Sequence, residues 1–246
     1  MQIPSLRVVA IIQARMGSSR LPGKTLQPIL GKPMLGYLIE RLKKSCLLSD
    51  IMIATTELPE DDAIAKFGIS NSIPVFRGSV EDVLDRYRLA AKESNAGVIV
   101  RITGDCPLID PEVVDQGIDL FLRAFPRYDY VSNTLQRTFP RGLDVEVFSR
   151  QALEKATEIA VDEIEREHVT LPIVRHPELF SLFNFCYKKD YSHYRWTVDT
   201  REDFILIAKL IEMSFPKSPS FEDLLQLNRE HPELEIINAH ITQKIP

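Results

Sequence analysis

The chain has 246 residues, 44% of them hydrophobic and 26% charged, with a net charge of −5. This length holds one large domain with a substantial core, and the composition is that of a globular protein rather than a disordered, fibrous or disulfide-framed one. A net acidic chain is a poor general nucleic-acid binder, no apolar run is long enough to span a bilayer, and Met1–Arg7 shows no leader core, so neither nucleic acid nor membrane is expected as a partner.

The first predicted strand is Val8–Gln13, an apolar run that reads as buried. It breaks into Ala14-Arg15-Met16-Gly17-Ser18-Ser19-Arg20-Leu21-Pro22-Gly23-Lys24, a loop of mostly small residues with three cations, Arg15, Arg20 and Lys24. A buried strand ending in such a loop suits a polyphosphate. Backbone N–H groups of small residues approach the oxygens, and long cationic side chains neutralise the charge. The P-loop pattern is excluded: the interval from Gly17 to Gly23 is one residue too long, and Pro28 and Gly31 block the helix that should follow Lys24-Thr25. No G-x-G-x-x-G follows a strand either.

A helix is predicted over Pro33–Lys44, with Leu35, Leu38, Ile39 and Leu42 on one face. Ile51–Thr55 reads as a strand, Glu60–Phe67 as a short helix and Pro74–Phe76 as a short strand. Ser79 and Asp82 form a capping pair for a helix through Lys92. Val98–Ile102 is the next strand, and Asp110-Pro111 starts a helix through Ala124. This alternation predicts an α/β fold with a mostly parallel, Rossmann-like sheet covered by helices on both faces.

The second half is less regular. Strands are expected at Tyr128–Val131 and Leu143–Val147, flanking the turn-like Phe139-Pro140-Arg141-Gly142, and helices at Arg150–Glu158 and Val161–Leu171. Further strands are read at Leu179–Tyr187 and Tyr194–Val198, and Thr200 with Asp203 caps a helix through Met213. Residues 127–193 are expected to form a smaller arm within one domain spanning 1–246; the tail after Asn228 receives no role. Cys46, Cys106 and Cys186 are widely spaced and outside any C-x-x-C, which points to a reducing, cytoplasmic compartment. The five His residues include no i, i+4 pair, so there is no zinc signature.

In open parallel sheets ligands bind beyond the carboxyl ends of strands. Asp105 falls there, after Val98–Ile102 and the turn Thr103-Gly104, and so does Asp199, after Trp196-Thr197-Val198. Two carboxylates meeting near a triphosphate are what Mg²⁺ takes, since it favours few protein oxygens plus phosphate oxygens. The plainer roles are a turn or capping residue for Asp105 and a helix-entry residue for Asp199.

Ile12-Gln13-Ala14-Arg15-Met16-Gly17-Ser18-Ser19-Arg20-Leu21-Pro22-Gly23-Lys24, Arg101-Ile102-Thr103-Gly104-Asp105-Cys106-Pro107-Leu108-Ile109 and Arg195-Trp196-Thr197-Val198-Asp199 together resemble the spore coat polysaccharide biosynthesis SpsF family. That family belongs to the sugar-acid cytidylyltransferases, with the CMP-3-deoxy-manno-octulosonate and CMP-N-acylneuraminate synthetases. The likeness extends to Asp61-Asp62-Ala63-Ile64, Phe76–Tyr87, Tyr130–Thr134 and Gly142–Phe148, and so covers most of the chain up to about residue 212.

The resemblance implies a nucleotidyltransferase-type sheet and transfer of CMP from CTP to a sugar hydroxyl, for cell-surface or spore polysaccharide, with Mg²⁺ as cofactor and a homodimer as the assembly. Arg15 and Lys24 match triphosphate positions, assisted by Gly17, Ser18 and the loop amides, and Asp105 and Asp199 match metal ligands; Arg20 either touches phosphate or pins the loop. Ala14, Arg77, Gly78 and Ser79 fall where related enzymes contact cytosine and ribose, Ser79 being equally a helix cap and Arg77 a solvated charge. Asn133, Arg141, Asp144 and Glu167 are the acceptor candidates, with Glu146, Arg166 and His168 close by. Asp144 and Glu146 share one strand face, which is more often paired or solvated than catalytic, and His168 reads as structural. A glycosyltransferase or a nucleotidyltransferase using another nucleotide is the neighbouring alternative. A non-catalytic nucleotide-sugar-binding subunit would lack a metal carboxylate or phosphate cation, whereas Arg15, Lys24, Asp105 and Asp199 are all present.

Overall fold

Val8–Gln13 forms the central strand β1, where side chains alternate between two separate apolar clusters: Val8, Ala10 and Ile12 join one, Val9 and Ile11 the other. A strand buried on both faces needs no polar face, which is why the sequence is almost continuously apolar. The computed structural model describes residues 6–214 and 216–243; Met1–Ser5, where a leader core was sought, and the extremities of the expected 1–246 domain lie outside the described residues. After the cationic loop a short 3₁₀ turn at Lys24–Leu26 leads to a two-strand ribbon, β2 (Pro28–Ile29) and β3 (Lys32–Pro33), which periodicity could not reveal at that length. Helix α1 (Met34–Leu42) follows, then β4 (Asp50–Thr56), α2 (Asp62–Ser70), β5 (Val75–Gly78), α3 (Val83–Glu93), β6 (Val98–Thr103) and α4 (Pro111–Ala124). Asp82, rather than Ser79, is the N-cap of α3 and accepts from Asp85 N at 2.8 Å; Ser79 Oγ accepts from Asp82 N at 3.1 Å.

The chain continues through β7 (Tyr130–Ser132), β8 (Glu146–Ser149), α5 (Arg150–Ile159), α6 (Glu163–Glu167), α7 (Leu171–Arg175), β9 (Leu182–Asn184) and α8 (Arg201–Ser214). Among the described residues seven strands form one sheet in the order β5-β4-β1-β6-β8-β7-β9. β5, β4, β1 and β6 run parallel, and β8 is antiparallel to both β6 and β7. The segment 127–193 therefore supplies three strands to the central sheet. Helices α1, α4 and α8 cover one face, and α3 and α5 the other.

Several expectations differ from the structure, and the strands read at Leu143–Val147 and Leu179–Tyr187 are confined to Glu146–Ser149 and Leu182–Asn184. The helix read over Val161–Leu171 is split into α6 and α7, because Val169 takes a left-handed conformation (φ 43°) that no continuous helix accepts. Tyr194–Val198 is no strand and makes one parallel bridge, Arg141 to Arg195. Gly142 (φ 104°) permits this approach: a Cβ there would stand 2.6 Å from the Trp196 carbonyl oxygen. The tail carries α9 (Phe221–Glu230) and α10 (Glu233–Ile236), and α9 opens on a Ser220–Asp223 capping box and buries Phe221, Leu224 and Leu225. Each such burial contributes roughly 1.5–3 kcal/mol, and beyond Asn228 the tail itself buries Leu234 and Asn238, so it too packs on the core.

Candidate active site

β4 and β5 lie on one side of β1 and β6 on the other, so the connectivity reverses between β1 and β6. The crevice beyond their carboxyl ends is the expected ligand position in such a sheet. Gly104 lets the two strand ends close up: its N–H donates to Gln13 O at 2.8 Å, and a Cβ would sit 3.1 Å from Ala14 Cβ. Asp105 is thereby set against the cationic loop. That loop is held by the buried Asp61, which accepts from Met16 N at 2.6 Å and from the Thr56 hydroxyl. Gly23 N to Met16 O (3.0 Å) and Thr25 Oγ1 to Arg15 O (3.0 Å) close the loop on itself and turn Lys24 inward.

Lys24 Nζ lies 2.9 Å from Asp199 Oδ1, 3.2 Å from Asp105 Oδ2 and 2.6 Å from the carbonyl oxygen of Val198. The other Asp199 oxygen receives Arg195 Nη2 at 2.7 Å and Arg20 Nη2 at 3.1 Å. Arg20 thus pins the loop onto Asp199. Burial alone would lower the Lys24 pKa, but the two carboxylates outweigh it and hold the ammonium above its ordinary 10.5. Burial likewise opposes ionisation of Asp199, and Lys24, then Arg20 and Arg195, hold it below its ordinary 3.8. The two shifts agree on a fully charged pair. Cys106, next to Asp105, has its thiol pushed well up by burial first and Asp105 second, which makes it an inert packing residue.

Arg20, Lys24, Asp105 and Asp199 line a cleft of about 410 Å³ that also includes Ala14, Arg15, Ser18 and Glu167. Arg15 and Glu167 border a second cavity of about 510 Å³ as well, walled by Val80, Asp82 and Arg166. Gly17 lies in the same loop, and Ser79 adjoins that cavity through Val80. Gly78 is buried at the end of β5. Arg77 turns elsewhere: its guanidinium donates to Thr56 O (2.9 Å) and Leu58 O (3.0 Å) and pairs with Asp62 at 2.6 Å. Among the acceptor candidates Glu167 faces the cleft. Asn133 is buried and spans Leu143 O (2.8 Å) and Val145 N (2.9 Å), Asp144 is held by the Arg137 fork, and the Arg141 backbone bridges to Arg195. Glu146 is likewise paired, buried against Arg101 and accepting from Tyr130 Oη (2.7 Å) and Thr170 Oγ1 (2.6 Å). Both acids are thus paired, one of the two plainer outcomes read for that face, although only Glu146 lies in β8 and Asp144 precedes it.

Gln13 and Gln243 line the cleft with no role in the sequence reading, and His168, grouped there with the acceptor candidates but read as structural, lines it too. Gln13 has a buried Oε1 with no hydrogen-bond partner, and His168 lies on the cleft wall with its pKa lowered from 6.5, chiefly by burial. The available signal for Gln13 was a polar residue closing an apolar strand at its carboxyl end. Among the described residues no group of three acidic, His or Cys side chains gathers around a metal position. Asp105 and Asp199 nevertheless converge on one cation, the Lys24 ammonium, and two carboxylate oxygens on one point form the hard donor set Mg²⁺ accepts when phosphate completes its shell. The residues present fit that ion. Among the described residues no helix is long and apolar enough to cross a membrane.

A family model described as cytidylyltransferase matches residues 9–234. The spore coat polysaccharide biosynthesis protein SpsF of Bacillus subtilis is 34% identical over 92% of this chain and 95% of its own. A cytidylyltransferase structure from Leptospira borgpetersenii serovar Hardjo-bovis superposes with a TM-score of 0.91 at 39% identity, covering 98% of this chain and 100% of that one. The 3-deoxy-manno-octulosonate cytidylyltransferase of Geobacter metallireducens is 36% identical over 113 residues, 46% of this chain and 44% of that one.

Proposed function

This chain belongs to the cytidylyltransferase family, and we propose that it transfers CMP from CTP to a hydroxyl of a sugar acid, with release of pyrophosphate, for polysaccharide biosynthesis. The acceptor oxygen forms a bond to the α-phosphorus, the bond from that phosphorus to the bridging oxygen breaks, and the hydroxyl proton is released. The observation that carries this reading is the convergence of Lys24, Asp105 and Asp199 at the β1–β6 switch point. The sugar-acid acceptor is supported by the name of the octulosonate cytidylyltransferase and by the polysaccharide role in the name of SpsF.

Asp105 and Asp199 would hold Mg²⁺, which withdraws charge from the α-phosphate and orients the reacting oxygens when bound. Arg15 and the loop amides hold the triphosphate. Lys24, on a flexible stem, leaves the carboxylates for the phosphates when both ligands are present. Catalysis then consists of positioning and charge stabilisation, with no dedicated nucleophile on the protein. Glu167, His168 and Gln13 border the space left for the acceptor, the neutral His168 and the unpartnered Gln13 oxygen offering hydrogen bonds to sugar hydroxyls.

The assembly proposed is a homodimer joined through the segment 127–193, which exposes the large apolar residues Leu135, Val161, Ile164 and Leu179. The compartment proposed is the cytoplasm, where three free cysteines are stable. The decisive experiment incubates the protein with Mg²⁺, each of the four NTPs and a panel of 2-keto sugar acids, and follows pyrophosphate. Release from CTP with at least one acid is expected; release with another NTP in its place would refute the cytidylyl assignment.

A further inference from the structure

Asp203 is fully buried and is paired with the buried Arg195 guanidinium. Its Oδ1 accepts from Arg195 Nε (2.9 Å) and Asn238 Nδ2 (2.8 Å), and its Oδ2 from Arg195 Nη2 (3.1 Å), Asp199 N (2.9 Å) and Thr200 N (3.0 Å). Asn238, also buried, sends its amide nitrogen to Arg195 O as well, at 2.9 Å. Arg195 in turn holds Asp199 Oδ2 at 2.7 Å and contacts Gln243 Oε1 through its third nitrogen.

A helix cap accounts for only part of this. Thr200 and Asp203 close the box that starts α8, as Asp203 N to Thr200 Oγ1 (3.3 Å) and the Thr200 N bond show. Such a cap needs neither a buried guanidinium nor a side chain from the tail. A buried charge is tolerated only when its lone pairs are filled, and here the filling comes from Arg195 and Asn238. Arg195 uses one edge on Asp203 and keeps Nη2 shared between Asp203 and Asp199. The Asp199 backbone N–H and carboxylate are thus gripped by a rigid planar fork and its buried counter-ion. Asn238 ties the backbone from which that fork springs to the fork's counter-ion, since its amide nitrogen bonds the Arg195 carbonyl and the Asp203 carboxylate. An aspartate at position 238 could not donate these bonds.

We propose that Asn238 is a positioning residue: with Asp203 and Arg195 it forms a clamp that orients the Asp199 carboxylate toward the cation position, so that the C-terminal segment is a working part of the active site. This rests on the reading of Asp199 as a metal ligand. Groups that orient a metal-binding carboxylate typically change metal affinity by about 10–100-fold when removed.

The test titrates Mn²⁺ into the ligand-free protein and its Asn238→Ala variant, followed by electron paramagnetic resonance, with melting curves showing that each is folded at the assay temperature. Mn²⁺ affinity is expected to fall by roughly 10-fold in Asn238→Ala, with a matching rise in the Mg²⁺ concentration for half-maximal pyrophosphate release and an unchanged KM for the acceptor. A purely structural Asn238 would lower the melting temperature and leave Mn²⁺ affinity as in the wild type, and that result overturns the clamp. Should Asn238→Ala fail to fold, Asn238→Leu, which fills a similar volume but has no side-chain N–H to give Arg195 O and Asp203, carries the same expectation and the same refutation. If the wild type releases no pyrophosphate from CTP while the variant loses Mn²⁺ affinity, the transferase reading falls and the clamp stands. If the wild type is active and the folded variant binds Mn²⁺ as tightly, the clamp falls and the transferase reading stands.

Discussion

The Lys24 ammonium lies 2.9 Å from a carboxylate oxygen of Asp199, and the same nitrogen reaches Asp105. A side-chain cation thus occupies the point on which the two acids converge. Three cations (Lys24, Arg20, Arg195) face three carboxylates (Asp105, Asp199, Asp203), so the cluster is charge-balanced before any nucleotide arrives. A divalent ion entering alone must displace the ammonium; one arriving with a triphosphate offers that ammonium a new partner. Metal and nucleotide are therefore expected to bind cooperatively.

Lys24→Met should separate the two roles of this residue. Removing a positive charge about 3 Å from both acids should tighten Mn²⁺ binding to the ligand-free protein by at least roughly 10-fold, since unit charges about 4 Å apart interact by about 1 kcal/mol even in bulk water and by about 4 kcal/mol near a protein surface. CTP binding should weaken at the same time, measured by calorimetry. Mn²⁺ affinity equal to that of the wild type would mean that the ammonium does not compete for the metal position.

Asp105→Asn removes one carboxylate charge with almost no change in volume. Turnover is expected to fall by on the order of 10³-fold, as several kcal/mol of lost charge stabilisation imply. The melting temperature should stay within about 3 °C of the wild type, because the residue is only part-buried and about 1 kcal/mol corresponds to 2–4 °C in a chain of this size. Near-normal turnover would take Asp105 out of the site.

Glu146 predicts the acid limit of the fold. Burial raises its pKa, but Arg101 and the hydroxyls of Thr170 and Tyr130 more than compensate, so the group sits below its ordinary 4.5. A carboxyl depressed in the folded state contributes stability that is present above 4.5 and is lost as pH falls through the folded value; Asp199 adds to this below 3.8. Melting temperature should thus decline from about pH 4.5 downward. Glu146→Gln should flatten that decline and lower the melting temperature at neutral pH by about 10 °C, because it leaves the Arg101 guanidinium buried without a counter-charge at a cost of about 3–5 kcal/mol. An undiminished acid slope in the variant would show that other carboxylates govern it.

The parallel half of the fold was legible because its strands bury both faces and its helices have caps: β1, β6 and α4 appear within a residue or so of their expected limits. The irregular half was less so, since Val169 and the Gly142–Trp196 contact are tertiary solutions with no periodic trace. Helix α9 was readable from Ser220, Asp223 and the spacing of Phe221, Leu224 and Leu225. Residue types singled out Lys24, Asp105 and Asp199, which the fold brings together, whereas Asn238 could not be connected to Asp199 by sequence, because the link passes through Asp203 and Arg195 and exists only in three dimensions.

Arg15 and Arg77 look alike in sequence, each after an apolar stretch read as a strand, but Arg77 falls inside β5 and the structure gives the two opposite surroundings. Arg15 is exposed and borders the cleft and the adjoining cavity, whereas Arg77 commits its nitrogens to Asp62 and the carbonyls of Thr56 and Leu58. Arg15→Ala is therefore expected to raise the KM for CTP by roughly 10-fold, the loss of about 1.4 kcal/mol, while the melting temperature stays unchanged. Arg77→Ala should do the converse. The ion pair with Asp62 is half-exposed and worth at most about 1 kcal/mol, but two backbone carbonyls also lose their donor, so a drop of about 3–6 °C is expected with CTP kinetics intact. A KM for CTP that rises in Arg77→Ala and not in Arg15→Ala would exchange the two roles and move the nucleotide toward the end of β5.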